Sequence, residues 1–188
     1  MPRSRKVKKP EEVYTLLSIR VDTYEARADV TINYNVIHPQ YAIDLHDSDP
    51  LFRHVTQLVI AGTLSDPADR PGDRYEITLR GDDSPGTSVN ATLQDAQVRG
   101  EYGSPQYRQY RGREIPVYKP PSGLGLINKE RGQPFWRGWV TIAPRLVTDM
   151  LVLLGHKRSL YLAIQERKAQ RSRWIHSISL QTTDPAEE

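Results

Sequence analysis

Ala28-Asp29-Val30-Thr31-Ile32-Asn33-Tyr34-Asn35-Val36 places an apolar or aromatic side chain at each even position and a polar one at each odd position. Side chains of an extended strand point alternately to the two faces of a sheet. This stretch therefore reads as a strand with one buried and one solvated face. The same period recurs around it. Thr15, Leu17, Ile19 and Val21 share a face, with Ser18 and Arg20 opposite; Tyr75, Ile77 and Leu79 alternate with Arg74, Glu76, Thr78 and Arg80. Leu58, Ile60 and Leu64 share one face of a longer strand, in which Gly62 marks a bulge or a close backbone approach.

Turn chemistry separates these runs. Ser65-Asp66-Pro67 and Arg70-Pro71-Gly72 bracket a surface loop, and Asp82-Asp83-Ser84-Pro85-Gly86 reads as a tight connection. Val89, Ala91 and Leu93 are expected to begin the next strand. Further strands are expected over 114–118, 135–142, 160–165 and 174–180, the last with Trp174, His176, Ile178 and Leu180 on one face. Fourteen prolines and twelve glycines punctuate short segments throughout. The pattern predicts an all-β sandwich of eight to nine strands.

One segment breaks the period. Leu146, Val147, Met150, Leu151, Val152, Leu153 and Leu154 are apolar among Arg145, Thr148 and Asp149, a spacing that suits a short helix over 144–154. Pro144 fits its first position and Gly155 the position just past its end. His156, Lys157 and Arg158 then supply positive charge where a helix C-terminus favours it.

The chain has 188 residues, 37% of them hydrophobic, which suits one domain with a core of its own. The expected division is a disordered basic tail over 1–11, a single β domain over 12–182 and a short acidic tail over 183–188. With no cysteine, the chain forms no disulfide, thiolate metal site or cysteine nucleophile. No apolar run approaches the ~18 residues of a spanning helix, and Thr15, Ser18 and Arg20 interrupt the first apolar stretch. A cytoplasmic protein without membrane insertion is the resulting expectation. Net charge is +3, but Arg3, Arg5, Lys6, Lys8 and Lys9 carry five of the 26 basic residues; the other 21 face 23 acidic ones, leaving −2 for the rest of the chain. A uniformly basic surface is therefore not implied.

Catalytic and metal-binding patterns are weak. His38, His46 and His54 lie eight residues apart, with Asp44, Asp47 and Asp49 around His46, but this matches no compact ligand spacing and reads as a solvated acidic loop. His176 alternates with apolar residues and reads as a half-buried, satisfied histidine. No serine sits in a Gly-x-Ser-x-Gly turn. Gly123-Leu124-Gly125-Leu126-Ile127-Asn128 lacks the third glycine and the lysine of phosphate loops, so it reads as a turn entering a short strand. No catalytic residue, metal site or cofactor is assigned.

Two features suit binding. Arg99, Arg108, Arg111, Arg113 and Lys119 interleave with Tyr102, Tyr107, Tyr110 and Tyr118. Guanidinium groups pair with phosphates and tyrosine faces stack on bases, while the same residue types anchor protein interfaces. The simpler reading is a surface loop whose tyrosines pack locally. Trp136 and Trp139 must point to opposite faces of one strand, so one is expected in the core and the other under the helix, at an interface or in a ligand groove. The basic tail would add salt-sensitive, sequence-blind affinity for nucleic acid, or serve only as a solvated terminus.

Three functional expectations follow, in order. The first is a non-catalytic binding or assembly module that self-associates or takes a protein partner. The second is a nucleic-acid-associated protein using the tail and residues 99–119. The third is a hydrolase or carbohydrate-active enzyme with carboxylates and His46 or His54 in a cleft. No small-molecule ligand is identified.

Overall fold

The computed structural model describes residues 12–32, 51–82, 91–119, 121–156, 158–169 and 172–187. The described chain is mainly β. Its elements are β1 (Val13–Ile32), β2 (Phe52–Asp66), β3 (Arg74–Gly81), β4 (Tyr107–Tyr110), β5 (Arg113–Pro116), β6 (Gly125–Asn128), β7 (Phe135–Ile142), α1 (Pro144–Leu154), β8 (Tyr161–Ala169) and β9 (Ser172–Gln181), with a 3-10 turn at Pro185–Glu187.

Seven strands close into a barrel in the order β1-β2-β3-β7-β6-β9-β8, and β4 and β5 form a separate two-stranded sheet. This corrects the sandwich expectation. Alternation requires an inner and an outer face, and a barrel satisfies that as well as two stacked sheets do. Closure depends on β1 pairing with β8, from Val13 with Lys168 to Arg20 with Tyr161, a contact that no local pattern announces. All described barrel pairs are antiparallel except β3 with β7, where Arg74 to Gly81 run alongside Phe135 to Ile142.

The interior is filled by Leu17, Ile19, Leu58, Ile60, Ile77, Leu79, Val140, Leu162, Ile164 and Ile175, all buried. The helix has the expected bounds, with Pro144 in its first turn. Its Val147, Met150 and Leu154 are buried and join the same core beside the ends of β2 and β3. Gly155 follows it in a right-handed conformation (φ −67°), so the backbone turns off without using the left-handed freedom of glycine. In the acidic C-terminal segment, Asp184 Oδ1 accepts from Ser18 Oγ at 2.7 Å.

Three local expectations are corrected. First, β1 is one strand from 13 to 32, and a bulge between Val21 and Thr23 switches its phase. Leu17 and Ile19 face the core before the bulge; Tyr24, paired with Ile60, and Ala26, paired with Leu58, take that side after it. Gly62 lies opposite this bulge, and a Cβ there would press on the Ile19 side chain (2.7 Å), so the close approach expected at that glycine is present. Second, Thr92 to Asp95 form a turn in place of the start of a strand. The Thr92 amide and hydroxyl donate to Asp95 Oδ2 at 2.7 and 2.8 Å and hold that carboxyl below its usual pKa. Third, a bulge interrupts the β8–β9 ladder: Gln165 pairs with Ser177 but Glu166 with Ile175, leaving His176 extra. Ile175 therefore takes the core position, and Trp174 does not share a face with Ile178 and Leu180. His176 is exposed, with its ring edge-on to Tyr14 at 5.5 Å.

Candidate functional site

The barrel leaves part of its longest strand uncovered. Pairing with β8 stops at Arg20, whereas β1 continues against β2 to Ile32. Among the described residues, no strand pairs with the other edge of Thr23–Ile32. Pairing of β2 with β3 begins only at Thr56, so Asp29 to Ile32 and Phe52 to Val55 project as a two-stranded arm. After the bulge, Tyr24, Ala26, Ala28, Val30 and Ile32 lie on the face that continues the barrel interior. That face is open: Tyr24 is 47% exposed, Val30 64%, Ile32 52% and Phe52, across from Ile32, 48%. The opposite face carries Thr23, Glu25, Arg27, Asp29 and Thr31, with Arg27 Nε 2.7 Å from Asp29 Oδ2. An amphipathic strand whose edge has no strand neighbour among the described residues, and whose apolar side chains are exposed, is a template for adding another strand.

The Tyr/Arg segment forms a second surface. The β4–β5 ribbon pairs Tyr107 with Pro116, Arg108 with Ile115, Gln109 with Glu114 and Tyr110 with Arg113. Arg111 (φ 49°) and Gly112 (φ 76°) make its turn, both left-handed as a two-residue hairpin requires. Its base is tied by Val98 N–H to the Val117 carbonyl and by Gln106 N–H to the Val98 carbonyl, each at 2.8 Å. Directly paired residues share a face. Arg108, Tyr110, Arg113 and Ile115 therefore lie on one side, and Tyr107, Gln109, Glu114 and Pro116 on the other. The Arg111 guanidinium lies 5.2 Å from the Tyr110 ring centroid. Tyr102 is solvent-exposed in the preceding turn, and Arg99 Nη1 donates to the Gly103 carbonyl at 3.3 Å. Of the sequence-predicted binding residues, Arg99, Tyr107, Arg108, Tyr110, Arg111 and Arg113 are thus brought together in one substructure. Arg3, Arg5, Lys6, Lys8, Lys9, His38 and His46 lie outside the described residues.

The tryptophans separate as strand geometry requires. Trp139 is on the outer face of β7, between Thr78 of β3 and Leu126 of β6, with Trp174 beyond Leu126. These side chains and Arg80 border an open groove of about 600 Å³. It offers an aromatic platform flanked by hydroxyl and guanidinium groups. No carboxylate, histidine or serine is among the described residues lining it.

Trp136 points inward and belongs to a polar plug that the alternation pattern did not reveal. Glu166 is 2% exposed, and Arg173 Nη1 donates to both its oxygens at 2.9 and 3.0 Å. Arg70 Nη1 approaches the same carboxylate at 3.6 Å from the β2–β3 loop. The Arg173 guanidinium lies 4.6 Å from the Trp136 ring centroid, while Trp136 Nε1 donates to Asp73 Oδ2 at 3.0 Å. Tyr75 stacks on Trp136 with centroids 6.2 Å apart. A signal was available in the sequence: Glu166 falls in phase with Leu162 and Ile164, so a strand assignment alone would have buried it. A carboxylate flanked by two guanidinium groups closes this end of the barrel.

Tyr75 is 1% exposed and its hydroxyl has no hydrogen-bond partner among the described residues. Burial, partly offset by Arg70, pushes its pKa up to about 12. Removing an unpartnered buried hydroxyl loses no bond and relieves its desolvation cost, so Tyr75→Phe should stabilise the fold by about 1–3 kcal/mol at neutral pH in chemical denaturation. An unfolded tyrosine ionises near 10, so the wild type loses stability as pH rises from 10 towards 12. The Phe variant should gain on it by about 2–3 kcal/mol across that window. A constant difference through pH 12 would contradict this burial.

Comparison with protein-family models, with curated proteins and with solved structures finds no match. Among the described residues, no group of three or more histidine, aspartate or glutamate side chains is placed to hold a metal ion, and no helix is long and apolar enough to cross a membrane.

Proposed function

We propose that this chain is a non-catalytic β-barrel assembly module that self-associates through the uncovered edge of β1. The observation that carries this reading is the open apolar face of Tyr24, Val30 and Ile32 on a strand whose outer edge lacks a neighbour among the described residues. The partner that fits is a second copy, by antiparallel pairing of the two β1 edges about a two-fold axis.

The sequence favours one register. Centred on Ala28, such a pairing places Tyr24 opposite Ile32, Ala26 opposite Val30 and Arg27 opposite Asp29 of the other copy. Apolar residues then meet apolar residues, and each arginine meets a carboxylate. A shift to a centre at Ala26 would set Val30 against Asp22 and so lose the apolar match. Moving by a single residue would send the apolar set to the wrong face.

Sedimentation velocity of the full chain from micromolar to near-millimolar concentration tests the reading. A monomer–dimer equilibrium is expected. A strictly monomeric chain across that range would overturn it.

A further inference from the structure

Outside the barrel, the β4–β5 ribbon segregates its charge. Residues 99–119 carry five basic side chains and two carboxylates. The ribbon's one carboxylate, Glu114, is on the face away from Arg108, Tyr110 and Arg113, where it accepts from Gln109 Nε2 at 3.2 Å. Arg108, Arg111 and Arg113 are exposed and make no ion pair among the described residues. Arg108 and Arg113 thus share the face of the exposed Tyr110 ring and Arg111 lies over it, with no anion of the ribbon's own on that side.

We infer that this face of the ribbon binds single-stranded nucleic acid, with a base stacked on Tyr110 and the flanking phosphates held by Arg108, Arg111 and Arg113. A polyanion supplies the missing counter-charge, and planar guanidinium forks match phosphate oxygens. An exposed ring selects an unpaired base over a duplex, because paired bases have no open face to stack. The turn geometry supports this division of labour. Arg111, left-handed beside Gly112, keeps its guanidinium against the Tyr110 ring and extends the platform on which a base would lie.

Fluorescence anisotropy of the full chain with labelled oligothymidylate, and with a duplex of the same length, tests this at several salt concentrations. Replacing Arg108, Arg111 and Arg113 together by alanine should weaken single-strand binding by at least tenfold. It should also lower the slope of log K against log salt by about 2, since each phosphate contact on a single strand contributes about 0.7. Tyr110→Ala should weaken binding by about 5- to 150-fold and leave that slope unchanged. All four side chains are exposed on a ribbon apart from the barrel sheet, and unchanged melting temperatures would verify that the variants fold. The same variants are then made in a chain with Arg3, Arg5, Lys6, Lys8 and Lys9 replaced by serine. Losses that persist there uphold the ribbon. Binding that depends on the tail alone, a duplex bound more tightly than the single strand, or no binding to either overturns the inference; the last outcome would leave the ribbon as a protein contact.

Discussion

Val30→Lys should raise the dimer dissociation constant by about 100-fold, or about 2.7 kcal/mol over the two symmetry-related sites, and leave the melting temperature of the monomer unchanged. The side chain is 64% exposed in the single chain, so little packing is lost by changing it. In the proposed pairing it faces Ala26 of the other copy, where two ammonium groups would lose water and gain no partner. A charge exchange tests the register independently. Arg27→Glu and Asp29→Lys should each weaken self-association, since each sets like charges opposite one another. Mixed in equal amounts, the two variants should associate with each other. The introduced glutamate of one copy then meets the introduced lysine of the other, and the retained Asp29 meets the retained Arg27. Breaking the internal Arg27–Asp29 pair cannot by itself produce that recovery, and an exposed pair is worth only about 0–1 kcal/mol in any case. A mixture no stronger than its components would rule out the Ala28-centred register.

Glu166→Ala should destabilise the barrel by about 3–5 kcal/mol in chemical denaturation. The loss comes chiefly from Arg173, whose guanidinium is held inside the barrel by that carboxylate and the Trp136 ring. Arg70 has Asp69 at 3.9 Å and a partly exposed side chain, so it can turn outward. The double change Glu166→Leu with Arg173→Met should recover most of the loss, because apolar residues of similar volume replace both charges. Against a typical total of about 5–15 kcal/mol, the single change is enough to unfold a marginal domain. A cost below about 1 kcal/mol for Glu166→Ala would mean that water reaches the plug and solvates Arg173.

What local pattern could specify, it specified well. The helix at 144–154 was marked by proline, glycine and apolar spacing, and β3 and β7 by alternation that both faces honour. What escaped was set by distant partners or by insertions of one residue. Closure needs residue 13 beside residue 168. Asp22 and His176 are extra residues in their ladders, so the true inner face changes parity midway along β1 and β9, which hid Tyr24 on one strand and Ile175 on the other. The candidate surfaces divide in the same way. Clustering of Tyr107, Arg108, Tyr110, Arg111 and Arg113 was legible because they are neighbours in sequence. Their sorting onto two faces required the hairpin register. Alternation at 28–32 indicated an apolar face expected to be buried, but Val30 and Ile32 are exposed: an apolar face does not reveal whether anything covers it.

The pairing of the first strand with the eighth also orders events during synthesis. A chain emerging from the ribosome can form the β1–β2–β3 meander early, yet β8, which covers Val13 to Arg20, arrives only after residue 161 has been made. Until then the whole of β1, and not just its distal half, is an uncovered edge. Contacts of such sequence separation form slowly, because a long loop must close before any pairing is gained. Neighbouring nascent chains on one message therefore present to each other a longer version of the edge by which finished copies would pair, and arrival of β8 trims it to the length that remains in the mature barrel.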